Sequence, residues 1–212
     1  MHGSPAFYTG PIASSMITTI RQSNGTMALS DLSDYRIAVR APLSMSFRGY
    51  NLYTSGAPAS GAVLMGILKV MEQYPLSDFS DVNLTTHRFD EAMRFAYGAR
   101  LELGDPDFVA DVQTIENMLL SNDAAKKTKK KINDERTQPV EVYDPRMVYL
   151  PENHGTSHVV TADKEGMATS LTTTINLLFG ARIKDPVSGV ILCGFSKNPA
   201  LPWSRSCLTV HV

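Results

Sequence analysis

The sequence predicts an α/β protein of the α+β kind, and three observations predict it. Apolar residues recur at helical spacing in several segments between Pro11 and Leu120, and β-branched residues alternate with polar ones between Ser157 and Ile175. A polar, proline-bearing stretch from Ile132 to Glu152 separates the two regimes. Helices are therefore expected in the first two thirds and a hairpin beyond the connector.

The elements follow in order. Pro11 suits a first helical turn, and Ile12, Ala13, Met16, Ile17 and Ile20 recur on one face until Ser23-Asn24-Gly25 stops the pattern. Ser30-Asp31-Leu32-Ser33-Asp34-Tyr35 offers capping residues for a short helical turn. Ile37-Ala38-Val39 and Leu43-Ser44-Met45-Ser46-Phe47 read as strands around Pro42, with Arg48-Gly49-Tyr50-Asn51 turning into Leu52-Tyr53-Thr54. After the breaker Ser55–Gly61, a helix from Ala62 to Gln73 brings Leu64, Ile67, Leu68 and Met71 onto one face. A third helix is expected from about Thr86 to Leu103, with Phe89, Met93, Ala96, Tyr97 and Leu101 near one stripe, and a shorter one from Val112 to Leu120. The run Lys126-Lys127-Thr128-Lys129-Lys130-Lys131 reads as an exposed linker, because like charges repel and stay solvated. Ser157 to Asp163 and Met167 to Ile175 form the hairpin, joined by Asp163-Lys164-Glu165-Gly166.

Composition excludes some functions. At 212 residues, 43% hydrophobic and 19% charged, the chain has the make-up of a folded protein with a sizeable core. A net charge of −1 gives no electrostatic footprint for nucleic acid, so no nucleic-acid partner is expected. No apolar run reaches the roughly 20 residues that span a bilayer, and Met1–Ala6 lacks the pattern of a cleaved leader. Asn24-Gly25-Thr26 and Asn83-Leu84-Thr85 fit the short N-glycosylation pattern, a weak pointer to a secretory relative. Cys193 and Cys207 read as incidental thiols, with a disulfide between them as the alternative; their spacing suggests no zinc, and no metal or cofactor is expected.

The chemistry concentrates at Gly155-Thr156-Ser157. An internal Thr hydroxyl is a poor nucleophile, but a chain cut before Thr156 gains an α-amine, with a reference pKa of about 7.7–8.0, that serves as general base on the same residue. The same hydroxyl can make the cut by attacking the carbonyl of Gly155, where glycine lets backbone and attacker approach closely. Thr174 and Asn176, two residues apart, share a strand face, and the hairpin return can bring them alongside the start of the first strand. A Gly-Thr-Ser triplet is also an ordinary turn into a strand, so these residues alone leave both readings open.

Taken together, several blocks in order resemble the γ-glutamyltranspeptidase (glutathione hydrolase) family from about Phe7 to Leu192. They are Phe7-Tyr8-Thr9-Gly10-Pro11-Ile12-Ala13, Leu32-Ser33-Asp34-Tyr35, Ala59-Ser60-Gly61, Arg94-Phe95-Ala96-Tyr97 with Leu103-Gly104-Asp105-Pro106-Asp107-Phe108, Gly155-Thr156-Ser157-His158, and Ser170–Asn176 continuing to Pro186-Val187-Ser188-Gly189. The resemblance implies a partial αββα sandwich of the N-terminal nucleophile hydrolase type. It also implies self-cleavage between Gly155 and Thr156 into large and small subunits that remain associated. Thr156 matches the nucleophile, Thr174 the second threonine that hydrogen-bonds it, and Asn176 the asparagine that positions the donor. The implied partners are glutathione and other γ-glutamyl compounds as donors, with amino acids, dipeptides or water as acceptors. The implied setting is the secretory pathway, cell surface or vacuole.

On this reading residues 1–155 form the C-terminal part of the large-subunit region, with a polar linker at about 121–155, and 156–192 begin the small-subunit region. Residues 193–212 form a divergent tail. After Leu192 the sequence reads Cys193-Gly194-Phe195-Ser196-Lys197-Asn198-Pro199 in place of the family's acidic segment. The family's paired serines, its oxyanion glycines and its substrate-binding arginine are also not matched. A single lost oxyanion donor costs about 2.7–4 kcal/mol in barrier height, so this chain alone is expected to be inactive. The alternatives are a non-catalytic fragment that associates with a complementary chain, or another N-terminal nucleophile amidase.

Overall fold

The computed structural model describes residues 3–145, 157–175, 178–193 and 210–211. They fall into two compact units, residues 1–39 with 153–212 and residues 40–152.

In the first unit, prolines open helices α1 (Pro5–Tyr8) and α2 (Pro11–Gln22), where a missing N–H costs nothing. Asn24 adopts the left-handed conformation, φ 61°, and the Gly25 N–H donates to the Ile20 carbonyl at 2.8 Å, closing α2. A Cβ on Gly25 would sit 2.9 Å from that same carbonyl oxygen, so the stop depends on glycine. In α3 (Leu29–Ser33) the Asp31 carboxylate accepts from the Ala28 N–H at 2.8 Å. Ala13, Met16, Ile17 and Leu32 are buried, with Ile12, Ile20, Val190 and Leu192 packed around them. Two of the best-placed helical positions of the sequence, Met16 and Ile17, thus anchor a segment from the other end of the chain.

Strands β1 (Leu43–Phe47) and β2 (Tyr50–Thr54) belong to the second unit; the first holds β3 (Ser157–Ala162), β4 (Ala168–Thr173) and β5 (Val210–His211), an antiparallel sheet in the order β3-β4-β5. The Asp163 carboxylate accepts from the Glu165 and Met167 N–H groups at 3.0 and 2.9 Å, and Gly166 supplies φ 83°, which makes the expected β3–β4 turn. Beyond it, Lys184 and Ile191 form a bridge within a loop closed by Ala181 N–H to Leu192 O, 2.8 Å, and Asp185 N–H to Val190 O, 2.9 Å. Cys193 is disulfide-bonded, correcting its reading as an incidental thiol; Cys207, the other cysteine, lies outside the described residues.

The second unit is mostly helical: α4 (Gly61–Glu72), a 3₁₀ turn (Leu76–Ser80), α5 (Val82–Arg100), α6 (Val112–Leu119), α7 (Asn122–Lys131) and α8 (Val140–Tyr143). Its β1–β2 hairpin turns through Arg48 and Gly49, both at positive φ (48° and 88°), as a two-residue hairpin requires. The unfavourable φ of Arg48 is offset by three hydrogen bonds: its N–H to Glu72 Oε1 at 3.0 Å, and its guanidinium to the Met71 and Tyr74 carbonyls at 3.3 and 3.1 Å, at the end of α4. The core gathers Val63, Ile67, Val70, Met71, Tyr74, Ala92, Ala96, Leu103, Val112 and Ala125.

Four expectations change here. Ile37-Ala38-Val39 is not a strand, since β-branched residues need a partner strand and Ile37 and Val39 are exposed. Leu64 lies on the open side of α4 and Val63 and Val70 on the buried side, so the stripe is rotated from the expected one. In α5 the buried residues are Glu91, Ala92 and Ala96, while Phe89 and Tyr97 are exposed. The lysine run is helical: Ser121 Oγ accepts from the Ala124 N–H at 3.1 Å, Ala125 is buried, and Lys129 Nζ donates to Gln73 O at 2.6 Å. Among the described residues, no helix is long and apolar enough to cross a membrane.

Candidate active site

The β3–β4 hairpin determines which side chains meet where β3 begins. Its register pairs Ser157 with Thr173 and His158 with Thr172. Because side chains alternate along a strand, Ser170 and Thr172 project from the same face of β4 as His158 projects from β3. His158 Nδ1 lies 2.8 Å from Thr172 Oγ1 and its Nε2 lies 3.1 Å from Ser170 Oγ. In the neutral imidazole one nitrogen donates and the other accepts, and hydroxyls suit either role. The imidazole thereby ties the first residues of β3 to two rungs of β4.

Thr174 follows β4 directly and is exposed. Gly155, Thr156 and Asn176 lie outside the described residues, so the structure brings Thr174 to the end of this hairpin and leaves the other three predicted positions unassigned. Nothing in the periodicity had singled out His158; its signal was its place in Gly155-Thr156-Ser157-His158, one residue into the predicted strand.

A second polar centre was missed altogether. Asp185 is fully buried although it sits in a turn. Its Oδ2 accepts from the Ser188 N–H at 2.7 Å and the Ser188 hydroxyl at 2.6 Å, and its Oδ1 from the Ser15 hydroxyl at 2.6 Å and the Thr19 hydroxyl at 3.1 Å. The Ser15 and Ser188 hydrogen bonds lower its pKa to about 2, outweighing the opposing effect of desolvation. Asp185-Pro186-Val187-Ser188-Gly189 could have been read as a turn closed by its own aspartate; the contacts to α2 have no local signal.

The helical unit holds a cavity of about 380 Å³, lined by residues that include Ala92, Ala96, Lys127, Lys131 and Tyr143, and by none of the predicted site residues. Beside it the Tyr143 hydroxyl donates to Glu91 Oε1 at 2.6 Å and accepts from the Gln138 N–H at 2.6 Å. Burial, then the Glu91 contact, raises the Tyr143 pKa. No group of three or more metal-ligating side chains occurs among the described residues.

The family model described as gamma-glutamyltranspeptidase matches residues 1–197. The glutathione hydrolase proenzyme of Arthroderma benhamiae is 45% identical over 192 residues, 90% of this chain and 33% of that protein. Glutathione hydrolase 2 of Arabidopsis thaliana is 37% identical over 192 residues, again 90% of this chain and 33% of the relative. Among solved structures, the γ-glutamyltranspeptidase of Helicobacter pylori aligns with a TM-score of 0.61 at 32% identity, covering 72% of this chain and 44% of that one. A cephalosporin acylase from Bacillus halodurans aligns with a TM-score of 0.70 over 93% of this chain and 35% of its own, at 21% identity, which speaks to fold alone. The chain spans about a third of the length of the curated relatives it matches. The fold is α+β, and its neighbours are of the N-terminal nucleophile hydrolase type.

Proposed function

Because the chain belongs to the γ-glutamyltranspeptidase family, we propose that it is the part of a γ-glutamyltransferase, or glutathione hydrolase, that carries the nucleophile and the processing point. The observation that carries this reading is the β3–β4 register. Ser157 pairs with Thr173, and residues 156 and 174 are covalently attached to that pair. The register thus brings Thr174 to the end of the hairpin at which β3 begins.

In the proposed sequence, Thr156 Oγ attacks the carbonyl carbon of Gly155, and the peptide nitrogen leaves as the α-amine of Thr156. Water then hydrolyses the resulting ester, freeing the Gly155 carboxylate and the Thr156 hydroxyl. In catalysis the α-amine accepts the Oγ proton as Oγ attacks the γ-carbonyl of glutathione or another γ-glutamyl compound, and that proton passes to the departing amine. The γ-glutamyl ester is then opened by water or by the amine of an amino acid or dipeptide, which returns Thr156 to its starting state. Thr174 is proposed to hold the Thr156 hydroxyl in line and Asn176 to orient the donor. His158, hydrogen-bonded to Thr172 and Ser170, keeps the start of β3 in register with β4.

A denaturing gel and intact-mass measurement test the processing step. Cleavage between Gly155 and Thr156 that disappears in Thr156→Ala supports it, whereas an intact unaltered chain counts against it. Turnover of a γ-glutamyl anilide is expected only from a protein of the relatives' full length, and robust activity of the 212-residue chain would refute that part. A second reading, a chain that works only after joining a complementary polypeptide, is favoured by the exposure of Val159 and Val160, which point to opposite faces of β3.

A further inference from the structure

We propose that Asp185 is the joint that keeps the two products of chain opening together, with helix α2 of the amino-terminal product as its partner. The inference rests on the reading that the chain opens before Thr156, because only then do Ser15 and Asp185 lie on separate polypeptides.

The two carboxylate oxygens divide the work. Oδ2 serves its own loop, accepting from the amide and hydroxyl of Ser188 three residues on. Oδ1 reaches a helix 170 residues away in sequence at Ser15 and 166 away at Thr19. Ser15 and Thr19 are four apart and present adjacent hydroxyls on one face of α2, so a single oxygen accepts from both. A turn-building aspartate needs only the first set of contacts.

The surroundings fit a docking joint. Val190 and Leu192, on the same loop as Asp185, pack against the cluster formed by Ala13, Met16, Ile17 and Leu32. An apolar seam thus lies beside the carboxylate: the seam supplies area, and the carboxylate supplies direction, because Oδ1 accepts from both hydroxyls only when α2 sits in one rotational setting. Asp185 itself has no exposed surface, so a loop leaving α2 would uncover an ionised group now held by hydroxyls of its partner. The chemistry recognised is a neutral helix face bearing hydroxyls at i and i+4.

The test uses the whole 212-residue chain with a tag before Met1 and a specific protease site placed within residues 146–152, so that it can be opened whether or not it opens itself. After cutting, the tagged product is held on resin and the release of the C-terminal product is followed with time. The unaltered chain is expected to retain it. Asp185→Asn, and separately the pair Ser15→Ala with Thr19→Ala, are expected to release it about tenfold faster, and all three changes together to release it no more than about twofold faster than either. The hydroxyl pair leaves Oδ2 and the Ser188 turn intact, so release from that pair locates the effect at Oδ1. Release from Asp185→Asn alone would overturn the proposal in favour of a turn-building role, and equal retention by every variant would assign the association to the apolar seam. Uncut samples on the same gel report separately on self-opening: an intact band refutes the processing reading, while the release series decides the joint.

Discussion

Two charged groups, one in each unit, are held differently. In the helical unit the Arg88 guanidinium meets Asp134 at 2.7 and 2.9 Å and Asp78 at 2.9 Å, stacked 4.3 Å from the centre of the Tyr74 ring. In the other unit Asp185 is held by the hydroxyls of Ser15, Thr19 and Ser188 and one amide. Opposite charges near the surface contribute little each, so the helical unit owes its stability to the apolar core under them. The neutral donors around Asp185 favour its ionised form, so that segment is sensitive to proton uptake. The valines of α4 and β3 differ as well: Val63 and Val70 are buried, whereas Val159 and Val160 are 54% and 61% exposed. The helical unit is thus a packed scaffold, and the other unit combines a smaller core with an open sheet face.

The largest expected effect is therefore in the scaffold. Ile67→Ala removes buried methyl groups from the packed face of α4 and is expected to cost about 2–5 kcal/mol, read as lost hydrogen-exchange protection across α4 and α5. A cost below about 1 kcal/mol would mean that this core is not what holds the unit. Tyr143→Phe comes next. Glu91 is fully buried and its Oε2 has no hydrogen-bond partner among the described residues, so removing the Tyr143 hydroxyl strips the contact to Oε1. The expected cost is about 1–3 kcal/mol, with loss of protection in α5 and α8.

These two positions also show how far the sequence could be read. Helices α2, α4, α5 and α6 and both hairpins were legible, because Pro11, Asn24-Gly25, Asp163 and Gly166 encode starts and stops through contacts a few residues long. Which face of α4 is buried was not, because that depends on where α5 and α6 lie: Leu64 and Val63 are equally apolar, and only Val63 faces them. Helix α7 was missed for a similar reason. Its lysines repel locally, and what rewards the helix is remote: the Gln73 carbonyl and the Tyr74 ring, 4.4 Å from Lys129 Nζ. At the candidate site the hairpin was readable, but the roles of Thr156, Thr174 and Asn176 came from resemblance. The Ser15–Asp185 contact spans 170 residues and carries no pattern that periodicity reports.

A smaller and pH-confined effect is expected at Asp185. Its pKa is about 2 in the folded chain against an ordinary 3.8, so the folded state takes up this proton less readily than the unfolded one. The stability it contributes is fully present above about pH 4 and is lost as pH falls through about 2. The protection factors of α2, which correct for the intrinsic exchange rate at each pH, should fall down this range more steeply in the unaltered chain than in Asp185→Asn, which has no proton to gain there. Parallel profiles would show that other carboxylates set the acid sensitivity of this unit.

The smallest effect is the sharpest probe of the division between the units. Val160→Thr exchanges a methyl for a hydroxyl of similar volume on an open face of β3 and keeps a β-branched residue in the strand. In the 212-residue chain it is expected to change stability by no more than about 0.5 kcal/mol, measured by exchange protection in β3 and β4. Made in a protein of the relatives' full length, the same change separates two situations. If further chain covers this face, the hydroxyl is buried without its water and the cost rises by about 1–3 kcal/mol. If the face stays open, the cost is unchanged, and the exposed valines belong to the finished protein.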